Sequence, residues 1–197
     1  MIAIADYRAG NLASVKKALD ALGVESIVTS DADTVRRADK IVLPGVGNFD
    51  STRALDELGL REAIGDSIQR GRPFLGICVG MQWIFEGSAE APAVRGLGLF
   101  AGRCERFPAA VKSPHVGWNQ IRVASRASRL LQGVPTQEFV YYTHSYYAPV
   151  VSESVGLTDY SVEFSGVVER DNIFGVQFHP EKSAEAGLQI LRNFVSL

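Results

Sequence analysis

Short apolar runs, each giving way to a helix-type pattern, constrain this chain more than any other feature. Ile2 to Ala5 is one such run and ends at Asp6. Ile41-Val42-Leu43 after Lys40 is another, and Phe74-Leu75-Gly76-Ile77 another. A strand covered on both faces reads as a continuous apolar run, because neither face meets water. Between the first runs, Leu12, Val15, Leu19 and Leu22 recur at helical spacing, with Asn11 placed to cap the helix and Gly23 to stop it. Val24 to Val28 reads as a further strand. Leu55, Leu58, Ile64 and Ile68 mark a helical stretch weakened by Gly59 and Gly65, and Met81 to Phe85 begins another helix. This alternation predicts an α/β fold: a doubly wound, mostly parallel sheet with helices on both faces.

From about residue 97 to 178 the pattern changes. Glu138 to Tyr142, Val155 to Thr158, Val162 to Val168 and Ile173 to Phe178 are short β-type runs separated by turn residues. They are expected to extend the sheet or to form an added antiparallel β layer in the C-terminal half. A last helix follows Ser183, with Leu188, Leu191 and Phe194 on one face. No repeat or linker interrupts the pattern, so residues 1–197 read as a single domain. With 46% hydrophobic and 21% charged residues, the chain has the composition of an ordinary globular core. Its net charge of −2 offers no footprint for nucleic acid or an acidic membrane. No apolar run approaches the ~18 residues of a membrane span, and the start lacks a basic leader. Cys78 and Cys104, the two cysteines, make no disulfide framework. A soluble protein of a reducing cytoplasm is the expectation.

Three segments carry possible chemistry. Gly76-Ile77-Cys78-Val79-Gly80 lies where an apolar strand meets a helix. With serine, the same pattern is the nucleophile elbow, a sharp turn whose flanking glycines relieve crowding. A thiol there sits at a helix N-terminus, which favours thiolate. A buried structural Cys beside packing glycines is the competing reading. Phe178-His179-Pro180-Glu181 closes the Ile173 to Phe178 strand. In extended chain, residues two apart point the same way, so His179 and Glu181 are expected side by side, with Pro180 holding that geometry. A carboxylate there would fix the tautomer of an imidazole serving a thiol as base. A strand-end His with a solvated Glu is the plainer alternative. His115 and His144 have no carboxylate two residues away. Pro44-Gly45-Val46-Gly47 follows the Ile41 to Leu43 strand, and its glycines allow backbone N–H groups to turn into a site as oxyanion donors.

Together these segments resemble the triad-type (class I) glutamine amidotransferases, whose hallmark is a Gly-x-Cys-x-Gly elbow followed later by His-Pro-Glu. The resemblance runs over essentially the whole chain. Further supporting stretches are Asp6-Tyr7 with Gly10-Asn11-Leu12, Met81-Gln82, Pro114-His115-Val116-Gly117-Trp118-Asn119, His144-Ser145-Tyr146 and Gly175-Val176-Gln177 before the His-Pro-Glu, with Lys182-Ser183 after it. Pro-Gly-Val-Gly in place of Pro-Gly-Gly, with Gly-Trp-Asn and Glu-Lys-Ser, is similar to the glutaminase subunits of imidazole glycerol phosphate synthases, of histidine biosynthesis. Position 8 is Arg where the family usually has Gly, and Val79 stands where Leu is common.

The resemblance implies roles. Cys78 would attack the carboxamide of L-glutamine, His179 would act as base and then acid, and Glu181 would orient His179. Gln82 and Glu90 would hold the substrate, with Glu86 one turn before Glu90 on the same helix, and the Ser145-Tyr146 backbone would line the pocket. Val46 and Gly47 would supply the oxyanion element, through a flip of their shared peptide. No metal or cofactor is implied. The chain has no Walker-type loop and no basic cradle for a bisphosphorylated substrate. The family solution is a heterodimer with a (β/α)8-barrel cyclase subunit that receives the ammonia, and Asn11, Trp118, Asn119 and Lys182 would face it. For Asn11, capping is an equal alternative. Two other readings are a stand-alone cysteine hydrolase or peptidase of similar fold and a non-catalytic scaffold subunit. The carboxamide-pocket Gln82 weighs against the first, and the intact Cys78, His179 and Glu181 against the second.

Overall fold

The computed structural model describes residues 1–125 and 127–197. Its elements in chain order begin β1 (Ile2–Ala5), α1 (Leu12–Ala21), β2 (Ser26–Thr29), α2 (Ala32–Arg37) and β3 (Lys40–Gly45). A 3-10 turn and α3 (Arg53–Glu57) lead to α4 (Leu60–Gln69), β4 (Phe74–Cys78), α5 (Val79–Trp83), β5 (Gly87–Ser88) and β6 (Arg103–Arg106). Then come β7 (His115–Val123), β8 (Gln137–His144), β9 (Tyr146–Tyr147), β10 (Ser154–Asp159), β11 (Glu163–Arg170), β12 (Ile173–Val176) and α6 (Ala184–Val195).

A nine-stranded sheet runs β2-β1-β3-β4-β12-β11-β10-β7-β8. From β2 to β12 every pairing is parallel; from β12 to β8 every pairing is antiparallel. A small second sheet joins β5, β6 and β9. Both possibilities for the C-terminal half therefore occur: most of its strands extend the main sheet, and a few form a separate layer. The apolar runs of β1, β3 and β4 are buried along nearly their whole length, as continuous runs between covered faces should be.

Several elements depart from the sequence reading. The helical stretch after Asn48 breaks at Gly59, whose φ of +67° suits glycine. Helix α2 escaped notice because it is one short turn-and-a-half with Val35 as its buried residue; Asp31 caps it by accepting the Thr34 N–H at 2.7 Å. In α6, Gly187, Ile190, Leu191 and Phe194 are buried, and Leu188 is only half-buried. Strand β7 was also missed. Its alternation is inverted: His115 and the half-buried Asn119 point inward while Val116 and Trp118 are exposed. Arg8 takes the left-handed turn that a glycine would, at φ +67°, and its N–H is held by Asp6 Oδ1 at 2.8 Å. Among the described residues no helix is long and apolar enough to cross a membrane.

Candidate active site

Strand order places β4 in the interior of the sheet, between β3 and β12, and the chain leaves β4 through Cys78. Cys78 has φ +55° and ψ −110°, a conformation a non-glycine residue holds only when its surroundings impose it. Close packing imposes it here. A Cβ on Gly80 would overlap the Leu43 carbonyl of β3, and one on Gly76 would overlap the Gly80 carbonyl. The glycines thus let α5 turn back hard against its own strand. The Cys78 sulfur lies 3.9 Å from the Thr143 carbonyl and 3.7 Å from the Gln177 side-chain nitrogen.

His179 is 1% exposed and comes from the segment after β12, the neighbour of β4. Its Nδ1 is 2.9 Å from Glu181 Oε1, and its Nε2 is buried without a hydrogen-bond partner among the described residues. The two side chains do lie together, but not in extended chain. Pro180–Lys182 is a 3-10 turn, with Pro180 at its start and His179 as the flanking residue. Proline favours that first position because its missing N–H has no partner to lose there. Burial alone would lower the proton affinity of His179; the Cys78 sulfur and then Glu181 outweigh it and push the ring up to about 10. Asn11 Nδ2 also donates to Glu181 Oε1, at 3.2 Å. Asn11 is at the capping position of α1, yet its side chain makes no capping bond. Of its two expected uses, capping is replaced by this contact across the fold.

A cavity of roughly 200 Å³ opens over Cys78. Gly47, Gln82, Glu90, His144, Ser145 and Tyr146 help to line it. Gly47 has φ +93°; Val46 is half-buried and does not line the cavity. Gln82, one turn beyond Cys78, donates from Nε2 to the Tyr146 carbonyl at 2.8 Å and to Gln177 Oε1 at 3.1 Å. Both amide hydrogens are thereby used. Glu90 accepts the Phe49 N–H at 2.8 Å, and partial burial, opposed by that bond, holds its carboxyl above the ordinary range. Glu86 is exposed. The two glutamates do not share a helix: α5 ends at Trp83, and Glu90 follows β5.

The class I glutamine amidotransferase family matches residues 3–197. The chain is 50% identical over 198 residues to imidazole glycerol phosphate synthase subunit HisH of Methanothermobacter thermautotrophicus, covering 100% of this chain and 98% of that one. The HisH subunit of Archaeoglobus fulgidus is 46% identical, with 100% and 98% covered. The chain belongs to the class I glutamine amidotransferases. Among solved structures, PurLQS of Thermotoga maritima aligns with a TM-score of 0.81 at 18% identity over 99% of this chain and 97% of that chain, a likeness of fold. The protein is accordingly a glutamine-hydrolysing enzyme subunit of the HisH kind.

Two further features of this amidotransferase escaped the sequence. Gln177 is fully buried against Cys78. It precedes His179 by two, the extended-chain period that turns both to one side, and that spacing was the available signal. His115 and His144, without carboxylates, pair with each other: His115 Nδ1 is 3.2 Å from His144 Nε2. His144 Nδ1 is 2.8 Å from the Tyr146 carbonyl and must donate to it. His144 Nε2 then accepts, His115 Nδ1 donates, and His115 Nε2 accepts from Asn119 Nδ2 at 3.3 Å. The other Asn119 amide hydrogen goes to the Asp159 carbonyl at 2.9 Å, which fixes the orientation of that amide. Only one arrangement of protons satisfies this chain. Burial lowers His115 to about 4; for His144, burial first, and then the charges of His115 and His179, outweigh the Tyr146 carbonyl and lower it to about 3.

The residues expected at a partner surface divide. Trp118 is 53% exposed, flanked by Val116 at 56% and, on β8, Phe139 at 51%. Register sets Trp118 opposite Tyr141, and Lys182 Nζ lies 5.8 Å over the Tyr141 ring. Asn119 is one residue along β7 from Trp118 and so faces the other side of the sheet, where its amide is taken up by His115 and Asp159. It does not belong to the exposed aromatic face.

Proposed function

We propose that residues 1–197 form one glutaminase domain, the amidotransferase subunit of an imidazole glycerol phosphate synthase, with Cys78, His179 and Glu181 as its catalytic triad. The observation that carries this reading is the buried His179 ring, bonded at Nδ1 to Glu181 and raised by the neighbouring Cys78 sulfur. The Cys78 thiol passes its proton to His179 Nε2, and the sulfur bonds to the carboxamide carbon of L-glutamine. The C–N bond breaks as His179 returns the proton to the nitrogen, releasing ammonia and leaving a glutamyl thioester. Water, deprotonated by His179, then displaces the sulfur and gives glutamate. Glu181 holds the imidazolium, and Asn11 steadies Glu181.

Gln82, with its amide hydrogens occupied, offers the substrate its oxygen as an acceptor, and Glu90 offers a carboxylate for the α-ammonium group. The Ser145-Tyr146 backbone lines the same pocket. The Val46–Gly47 peptide supplies the oxyanion donor once turned inward, and Gly47 absorbs the rotation because its φ is already positive. The ammonia passes to a cyclase subunit, a (β/α)8 barrel in a heterodimer. The β7–β8 face around Trp118, with Lys182, is where that subunit docks. The test is Cys78→Ala in the assembled synthase. Glutamine-dependent turnover should vanish while turnover with added ammonium persists. Loss of both would make Cys78 structural and end this reading.

A further inference from the structure

The buried polar chain beneath Cys78 has a forced direction. The Tyr146 carbonyl can only accept, so the Gln82 atom 2.8 Å from it is the amide nitrogen. The second hydrogen of that nitrogen meets Gln177 at 3.1 Å, and Gln177 must therefore present its oxygen there. This turns the Gln177 amide nitrogen toward the Cys78 sulfur, 3.7 Å away. Gln177 is 0% exposed, so water offers it no substitute partner. Flipping either amide would face donor with donor or acceptor with acceptor inside the protein. The Tyr146 carbonyl is itself held from its other side by His144 Nδ1.

We propose that Gln177 is a further catalytic residue, whose side-chain amide donates to the Cys78 sulfur and stabilises it as the thiolate. The proposal rests on Cys78 as nucleophile. A neutral thiol has its own use for a hydrogen bond, the Thr143 carbonyl at 3.9 Å. Once the proton leaves for His179, that bond is gone, and the Gln177 N–H becomes a charge-assisted donor to the sulfur. The contact weakens again when the sulfur bonds to the substrate carbon and loses its charge. Gln177 therefore raises the thiolate fraction rather than holding the substrate. Its loss should lower kcat near neutral pH, and raising the pH should restore kcat.

The test is Gln177→Met, of similar length but without a donor. Iodoacetamide alkylation of Cys78 is followed against pH, with the labelled peptide identified by mass to separate it from Cys104. The profile should move to higher pH by about one unit, making alkylation near neutral pH about tenfold slower. In the assembled synthase, glutaminase kcat at saturating glutamine should fall in proportion and recover at higher pH, and ammonium-dependent turnover should be unaffected. An alkylation profile at the wild-type position overturns the proposal. A readout that needs no variant is the side-chain amide proton resonance of Gln177 in the wild-type protein. It should move with the midpoint of alkylation, and a flat resonance overturns the proposal as well. Both readouts report the contact whether or not Cys78 turns over glutamine. Cys78→Ala with ammonium tests the nucleophile separately, so the two failures are distinguishable.

Discussion

Acidification should unfold this protein earlier than its carboxylates require, because of the His115–His144 pair. The pair is satisfied in one proton arrangement, with Nδ1–H on each ring, closed by the Tyr146 carbonyl at one end and the Asn119 amide at the other. One added proton leaves a donor facing a donor somewhere along the chain. His115 stacks on Tyr160 at 4.0 Å and Tyr142 at 5.0 Å, and Phe107 packs edge-on to His144 at 5.1 Å, so water cannot relieve the clash. Folded values of about 4 and about 3 lie below the ordinary histidine value. The stability from neutral rings is thus full above about pH 6.5 and is lost as pH falls toward the folded values. His179 has the opposite shift: the folded ring keeps its proton throughout this window while the unfolded ring gains one as pH falls, so His179 adds about 1.4 kcal/mol of stability on acidification and offsets part of the loss. Between pH 7.5 and pH 5 each ring costs about 2 kcal/mol, or about 4 kcal/mol for the pair, against a total stability on the order of 5–15 kcal/mol. Urea unfolding followed by circular dichroism at several pH values measures this. His115→Phe keeps a ring between the tyrosines, removes one titration, and should cut the net loss over this window from about 2.6 to about 0.6 kcal/mol. Stability flat from pH 7.5 to 5, or an equal loss in His115→Phe, would refute the reasoning.

Glu181→Gln should lower the His179 ring midpoint from about 10, read by NMR titration, and should reduce glutaminase turnover less than Cys78→Ala does. Arg8→Gly should raise stability by up to about 1 kcal/mol in urea unfolding, since glycine bears the left-handed φ at position 8 without a Cβ penalty and the exposed Arg8–Glu57 ion pair contributes little. Trp118→Ala should weaken association with the cyclase subunit by about 30-fold in titration calorimetry, the scale of a buried aromatic anchor worth about 2 kcal/mol. Unchanged affinity would move the docking face away from β7 and β8.

What the sequence determined by itself was local. The apolar runs of β1, β3 and β4 record burial on both faces. The glycines at 76 and 80 record a helix folded tightly against its own strand. His179 and Glu181 stand two residues apart, close enough to meet in more than one backbone conformation, so their pairing survived the change from extended chain to 3-10 turn. Tertiary structure decided whatever depended on strand order and register. Asn11 reaches Glu181 because α1 packs beside the turn that carries it, a meeting of residues 170 apart. Strand β7 was illegible because the first half of its inward side carries His115 and Asn119, polar groups paired with each other and with His144 and the Asp159 carbonyl of the neighbouring strands, while Val116 and Trp118 face outward. A one-residue step along that strand parted Asn119 from Trp118. Spacing could place Gln177 on the side of His179, but its role emerged only when β12 came to lie against β4, because a buried amide takes its meaning from the atoms it faces, and those lie far away in the chain.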